Sequence, residues 1–193
     1  IYNENDPEFI RSIINLASVN HELGEYKLAE DLYKKAIAIM DKNLKGNNRN
    51  YSISINNLAL LFKSQNKNKE AEELFFKNIE QSKEIFGEYS QDYATLMDNL
   101  ASFYQDILNY DKAEELYIKA LMLKKSILGE SHPDYQITLQ NLSSLYLSLR
   151  MYEKAEINAI KSKELFEKTF SNDHPEYASV LSNLANINLF KRN

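Results

Sequence analysis

One short motif returns at a constant interval along this sequence, and it decides which kinds of fold are open to the chain. Asn-Leu followed by Ala or Ser occurs five times, and each occurrence starts 42 residues after the one before. The five motifs begin at Asn15, Asn57, Asn99, Asn141 and Asn183. An aromatic column and an alanine column keep the same step. Such regularity predicts a row of stacked supersecondary units rather than a single globular core.

Within each repeat the apolar residues follow a helical period. In the third repeat Tyr93, Met97 and Leu100 are four and three residues apart, which places them on one face of a first helix. A second helix is predicted from about Asp111 to Leu128. The chain contains only four Gly and three Pro, so few residues would interrupt these helices. Each repeat is therefore predicted to be a helix-turn-helix hairpin that buries its apolar face by stacking on its neighbours.

The phase of the motif predicts where the repeats begin and end. Four complete repeats are expected, at residues 7–48, 49–90, 91–132 and 133–174. Residues 1–6 are expected to be the tail of a preceding repeat, and residues 175–193 the first helix of a fifth. The chain is therefore expected to be one fragment of a longer array.

These columns resemble the tetratricopeptide repeat. The residues that stand at its spacing are Leu16-Ala17, Gly24, Tyr26, Ala29, Tyr33 and Ala36. The 42-residue length is similar to the kinesin light chain subtype, whose Tyr-x-Lys-Ala-Glu and Leu-Gly-x-x-His-Pro-x-Tyr patterns occur at residues 110–114 and 128–135. The resemblance implies an all-α, right-handed superhelical solenoid that serves as a protein-binding scaffold in the cytoplasm.

The resemblance also implies a peptide-binding groove on the first helices, in which the motif Asn binds the backbone of a ligand. An Asn amide suits that role because it offers both donors and an acceptor. The position just before the motif Asn supplies three further groove candidates, Asn56, Asp98 and Gln140. One turn after the motif Asn lie Lys63 and Gln105, and the nearby cation Arg11 is the last candidate. The alternative is structural, with the Asn side chains bridging neighbouring helices or bonding to local backbone.

Other classes of function find little support in the sequence. There is no Cys, no zinc-protease helix, no phosphate-binding loop and no serine-hydrolase motif, so no metal or cofactor is expected and the chain is not expected to be an enzyme. His132 and His174 precede the Pro of the following repeat, which gives them a structural explanation, and His21 is interpreted as a solvated groove residue. A net charge of −5 argues against nucleic-acid binding, and no apolar run approaches a membrane span of about 18 residues.

Two functions remain open. The first is a non-catalytic module that binds a peptide or partner domain in its groove. The alternative is a regulatory, sensor or self-assembly segment of a larger bacterial signalling or effector protein, for example one carrying a CHAT-type protease domain, whose partner is another domain or a second copy. Dimerisation through the last helix is expected because four apolar residues there would be exposed: Leu184, Ile187, Leu189 and Phe190.

The second helix of the fourth repeat has the thinnest apolar side. Asn158, Ala159 and Ser162 stand where the third repeat has Leu116, Tyr117 and Ala120. We expect this hairpin to be the least stable part of the array.

Overall fold

The computed structural model describes residues 6–44, 49–169 and 175–191, and these ranges contain helices and no strands. The helices are α1 Pro7–Glu22, α2 Tyr26–Leu44, α3 Arg49–Ser64, α4 Asn68–Phe86, α5 Gln91–Asp106, α6 Tyr110–Leu128, α7 Pro133–Ser148, α8 Tyr152–Thr169 and α9 Pro175–Lys191. The expected fold class, an all-α array of helical hairpins, is confirmed. Residues 1–5 of the predicted tail, together with Gly46 and His174, lie outside the described residues.

The chain divides into two compact units, residues 1–87 and residues 88–193. In the first unit α1 packs against α2 and α3, and α3 packs against α4. In the second unit α5 packs against α6 and α7, and α7 packs against α8 and α9. Within each unit, therefore, the first helices of successive hairpins contact one another, which brings the motif Asn residues onto neighbouring helices.

Side-chain caps set where several first helices begin. The Asp6 side chain accepts a hydrogen bond from the backbone N–H of Glu8 at the start of α1. At the start of α5 the Ser90 side chain accepts one from the backbone N–H of Tyr93. At the start of α7 the cap is His132, whose Nδ1 accepts from the N–H of Asp134 at 3.2 Å. These bonds satisfy N–H groups that have no partner within the helix.

The turns between paired helices share one backbone conformation. The same position of four successive repeats has a positive φ of 57–79°: Gly24, Asn66, Leu108 and Arg150. Only glycine adopts this conformation without a steric cost, so Leu108 and Arg150 are held there by the helices on either side. Asn66, Leu108 and Arg150 therefore form in their repeats the same turn that Gly24 forms in the first.

Small and aromatic columns form the core of each unit. Ala29, Ala71, Ala113 and Ala155 are fully buried, and so are the aromatic residues Tyr33, Phe75 and Tyr117 four positions later. The alanines let paired helices approach closely, while the rings fill the space beside them. Two polar residues occupy a further small-residue column, and each bonds to a carbonyl of its own first helix: Asn78 to Ser52 at 2.9 Å and Ser162 to Gln136 at 3.3 Å.

The last two helices bury more than their sequences suggested. In α8 the missing ring at Ala159 is accompanied by a buried Phe166, which stands where the third repeat has Lys124. The expectation that α9 would expose Ile187 is wrong, since that residue is 0% exposed where α9 packs against α7 and α8. Leu184 is half-buried, whereas Leu189 and Phe190 are 58% and 50% exposed.

Candidate functional site

The five motif Asn residues lie at the boundary between the core and solvent. Asn57, Asn99, Asn141 and Asn183 are half-buried, and Asn15 is exposed. In the middle three repeats the leucine that follows the Asn is buried: Leu58, Leu100 and Leu142. The amides of Asn57, Asn99 and Asn141 are therefore held close to the core and remain accessible from the surface.

In the first unit one motif Asn makes a hydrogen bond inside the protein. The hydroxyl of Tyr33, which rises from α2, lies 2.9 Å from Ser18 Oγ on α1 and is also hydrogen-bonded to the side chain of Asn57 on α3. Burial raises the pKa of Tyr33 above its ordinary value, so the hydroxyl stays protonated at neutral pH. The Tyr33 hydroxyl therefore joins α1, α2 and α3, a contact of the kind that the structural alternative for the motif Asn residues predicts.

In the second unit the equivalent tyrosine makes different contacts. The hydroxyl of Tyr117 donates to Gln105 Oε1 at 3.2 Å and is also hydrogen-bonded to Ser102, both on α5. Burial raises the pKa of Tyr117 well above its ordinary value. The groove candidate Gln105 is consequently half-buried and held by the core below it.

Asp98, another groove candidate, lies beneath the surface. It is 6% exposed, and its Oδ2 accepts from Lys124 Nζ of α6 and, at 2.6 Å, from Thr138 Oγ1 of α7. Lys124 is itself 2% exposed and bonds to Thr138 Oγ1 at 3.0 Å. Burial raises the pKa of Asp98, and the ammonium of Lys124 opposes that rise. This carboxylate joins three helices and is not offered to a ligand.

The other groove candidates differ from one another in exposure and in their partners. Gln140 is 7% exposed, and within the described part of the chain its Nε2 has no hydrogen-bond partner. Asn56 and Lys63 are half-buried, and Arg11 is exposed and paired with Glu8. The structure thus places the motif Asn residues on one kind of surface, but it does not bring the candidate charges together.

Sequence reasoning missed Lys124. Leu116, Leu121 and Leu128 of α6 are half-buried, whereas Lys124 is buried. The available signal was its column, because the matching residues of the first, second and fourth repeats are Met40, Ser82 and Phe166, none of them charged. A lysine at a position that otherwise holds uncharged residues predicts a buried partner of opposite charge.

The histidines have structural partners. His21 Nε2 lies 2.9 Å from Ser64 Oγ, which joins the ends of α1 and α3, and burial is the main cause that lowers the pKa of His21. His132 caps α7. Over residues 6–44, 49–169 and 175–191, no group of three or more acidic or histidine side chains is placed to hold a metal ion, and no helix is long and apolar enough to cross a membrane.

Surface cavities lie in the second unit, and two of them are lined by residues that the structure describes. One of about 410 Å³ lies at the ends of α7 and α9 and is lined by Leu147, Ser148, Arg150, Tyr152 and Phe190. Another of about 350 Å³ lies between the start of α5 and the second half of α6, and its lining includes Tyr89, Tyr93, Lys119, Met122 and Leu123. The first cavity adjoins the surface that carries Asn141 and Asn183, since Ser148 and Phe190 lie on the same helix faces.

Comparisons with known proteins agree with this architecture. A family model for the tetratricopeptide repeat matches residues 9–84 and 92–159. The structure is similar to that of BtubC (BKLC) from P. vanneervenii, with a TM-score of 0.82 and 21% sequence identity over 95% of this chain and 73% of that one. It is also similar to the nearly identical TPR-like repeats of a putative kinesin light chain from Podosopora anserina, with a TM-score of 0.76 and 20% identity over 97% of this chain and 89% of that one.

PilF of Pseudomonas aeruginosa is a third similar structure, with a TM-score of 0.67 and 19% identity over 96% of this chain and 70% of that one. None of the curated proteins matches the sequence. At such low identities the structural similarities establish the fold alone.

Proposed function

The chain belongs to the tetratricopeptide repeat family, and we propose that it is a module that binds a peptide, or an extended segment of a partner domain, against the first helices of its repeats. Repeats of this family mediate protein–protein interactions and are typically non-catalytic scaffolds. We assign no reaction to the residues of this chain. Any catalytic activity would belong to another domain of a longer protein.

The observation that carries this proposal is the position of the motif Asn amides. An Asn in a helix interior costs about 0.5 kcal/mol relative to Ala, so its repetition at every 42nd residue requires a compensating interaction. Four of these side chains are half-buried on first helices, where the core below fixes their position and the surface leaves them reachable. A surface that is formed before the ligand arrives lowers the entropic cost of binding.

The test is an affinity purification from native lysate that compares the wild type with a variant carrying Asn57→Ala, Asn99→Ala and Asn141→Ala. A matched control carries Asn68→Ala and Asn188→Ala, because both of these side chains are exposed on helices and lie off the motif column. Circular dichroism verifies that each variant is folded. Partners lost from the column variant and kept by the control would support the groove, whereas partners kept equally by both would place binding on another face.

The second candidate, a self-assembly or regulatory segment, is favoured by one observation. Leu189 and Phe190 at the end of α9 are both at least half exposed. Large apolar side chains that lie together on a surface commonly mark a contact with a partner. On this proposal the partner is a second copy or another domain of the same protein.

A further inference from the structure

Two columns of the repeat, one aromatic and one of lysine, lie together in the hairpins. The aromatic column is on the first helices and the lysine column on the second helices: Phe9, Tyr51, Tyr93 and Tyr135, with Lys35, Lys77, Lys119 and Lys161. In the first repeat Lys35 Nζ lies 5.9 Å from the centre of the Phe9 ring. In the fourth repeat Lys161 Nζ lies 5.3 Å from the centre of the Tyr135 ring and donates to the Tyr135 hydroxyl at 2.8 Å. In both repeats the ammonium is thus held by the ring beside it.

In the third repeat the lysine of this column is exposed and makes no such contact. Lys119 has no hydrogen-bond, ion-pair or ring partner within residues 6–44, 49–169 and 175–191. Lys161 also donates to Glu130 at 3.2 Å, and the counterpart of Glu130 in the third repeat is Glu88. Lys119 instead lies in the wall of the cavity of about 350 Å³ between the start of α5 and the second half of α6.

The other walls of this cavity are mainly apolar. Tyr93 is buried and Leu123 is half-buried, whereas Tyr89 and Met122 are 78% and 68% exposed. Large apolar side chains at that exposure lose contact with water when a ligand covers them. The cavity therefore joins an apolar surface to a cation that the described part of the protein leaves without a partner.

The neighbouring repeats do not combine these two features. Lys77 of the second repeat also has no partner among the described residues, but the positions that hold Met122, Leu123 and Ser126 in the third repeat are polar there: Glu80, Gln81 and Glu84. Glu80 is three residues from Lys77 on the same helix, which places a carboxylate close to that ammonium. In the fourth repeat Ser131 and Glu164 stand at the positions of Tyr89 and Met122, and Lys161 is paired.

We propose that this cavity binds a small apolar carboxylic acid, whose carboxylate pairs with Lys119 and whose hydrocarbon body packs between Tyr89 and Met122. Ligand pockets are typically apolar cavities of this size in which a few polar groups fix the orientation of the ligand. A water molecule occupies about 30 Å³ of the liquid, so the cavity holds a body of about a dozen non-hydrogen atoms. No groove candidate lines the cavity, so this site is separate from the motif Asn residues.

The charge of the ligand follows from Lys119. Glu88 also lines the cavity, but it is engaged in an interaction of its own. The ammonium of Lys119 gains a partner only from an anion, and beside apolar side chains such a pair is screened less than in open water. A neutral ligand of the same shape buries the same apolar surface without that gain.

The experiment compares three compounds that share one apolar body and differ in charge. They are 4-phenylbutanoate, its neutral amide 4-phenylbutanamide, and the cation 4-phenylbutylamine, each titrated calorimetrically into the whole chain. We expect the acid to bind with a Kd of about 1 mM or tighter, as about a dozen non-hydrogen atoms provide. The amide should bind about tenfold more weakly, since it lacks the charge-assisted bond to Lys119, and the amine more weakly still.

Three variants test the residues that form the site. Lys119→Gln should weaken binding of the acid about tenfold and leave the Kd of the amide within about twofold of the wild type. Lys77→Gln is the matched control, because it removes the equivalent lysine of the second repeat, and the Kd of the acid should stay within about twofold. Tyr89→Ser/Met122→Glu gives the cavity the residues of the fourth repeat and should abolish binding. Both replaced side chains are exposed, so the circular dichroism of this variant should match that of the wild type.

Methyl signals of methionine locate the bound acid. The chain has four methionines, Met122 lines the cavity, and Met40 and Met97 are buried in the core. In protein labelled with carbon-13 at the methionine methyl groups, the acid should shift the signal of Met122 and leave those of Met40 and Met97 in place. The inference is overturned if none of the compounds binds, if the amine binds as tightly as the acid, if Lys119→Gln leaves the Kd of the acid unchanged, or if the Met122 signal does not move.

Discussion

The buried pair of Asp98 and Lys124 yields the sharpest prediction about stability. In the third and fourth repeats the carboxylate of α5 accepts from the ammonium of α6 and from Thr138 of α7, with both charged side chains almost fully removed from solvent. In the first repeat the same two positions hold Ile14 and Met40, which are both buried. The protein therefore contains two solutions to one packing problem, an ionic one and an apolar one.

We expect Lys124→Met alone to destabilise the second unit by about 3–5 kcal/mol, because it leaves a buried carboxylate without its cation. The double variant Asp98→Ile/Lys124→Met reproduces the apolar pair of the first repeat. It should be as stable as the wild type or about 1–4 kcal/mol more stable, since desolvation of both charges is avoided. Thr138 keeps a partner in either case, as its hydroxyl lies 2.9 Å from the carbonyl of Asp134.

Urea unfolding followed by circular dichroism measures the effect. With a slope of about 2 kcal/mol per molar urea, a loss of about 4 kcal/mol lowers the midpoint of the second unit by roughly 2 M. Lys125→Met is the matched control, because its neighbouring ammonium is 60% exposed and pairs with Glu130 at the surface, so its midpoint should hardly change. The reasoning is refuted if Lys124→Met has the same urea midpoint as the wild type. It is also refuted if the midpoint of the double variant is as low as that of Lys124→Met.

Three other expectations test separate parts of the structure. Tyr33→Phe removes the hydroxyl that joins α1, α2 and α3, and it should destabilise the first unit by about 1 kcal/mol, visible as a lower urea midpoint; an unchanged midpoint would mean that these hydrogen bonds contribute nothing net. Native-state hydrogen exchange should show weaker protection over residues 153–169 than over residues 112–128, because α8 lacks the ring of the tyrosine column; equal protection would contradict this expectation. Sedimentation equilibrium should show concentration-dependent dimers that Leu189→Ser/Phe190→Ser abolishes, and a monomeric wild type at high concentration with α9 folded would argue against self-association.

The fold was predictable from the sequence because repetition averages out local uncertainty. A single stripe such as Tyr93, Met97 and Leu100 is ambiguous in its limits, but the same stripe at five equal intervals establishes the period, the partner helix and the turn between them. Even the three turns without glycine, at Asn66, Leu108 and Arg150, follow the pattern, since the flanking helices impose the same backbone conformation.

The site was only partly predictable. The motif Asn column follows from spacing alone. The hydrogen-bond partner of each tyrosine hydroxyl near it depends on side-chain directions, which spacing does not predict. Tyr33 and Tyr117 occupy one column, yet the first bonds to an Asn of the next repeat and the second to Gln105 of its own repeat. Asp98 was a groove candidate by position, and its burial depends on a lysine whose column otherwise marks the core.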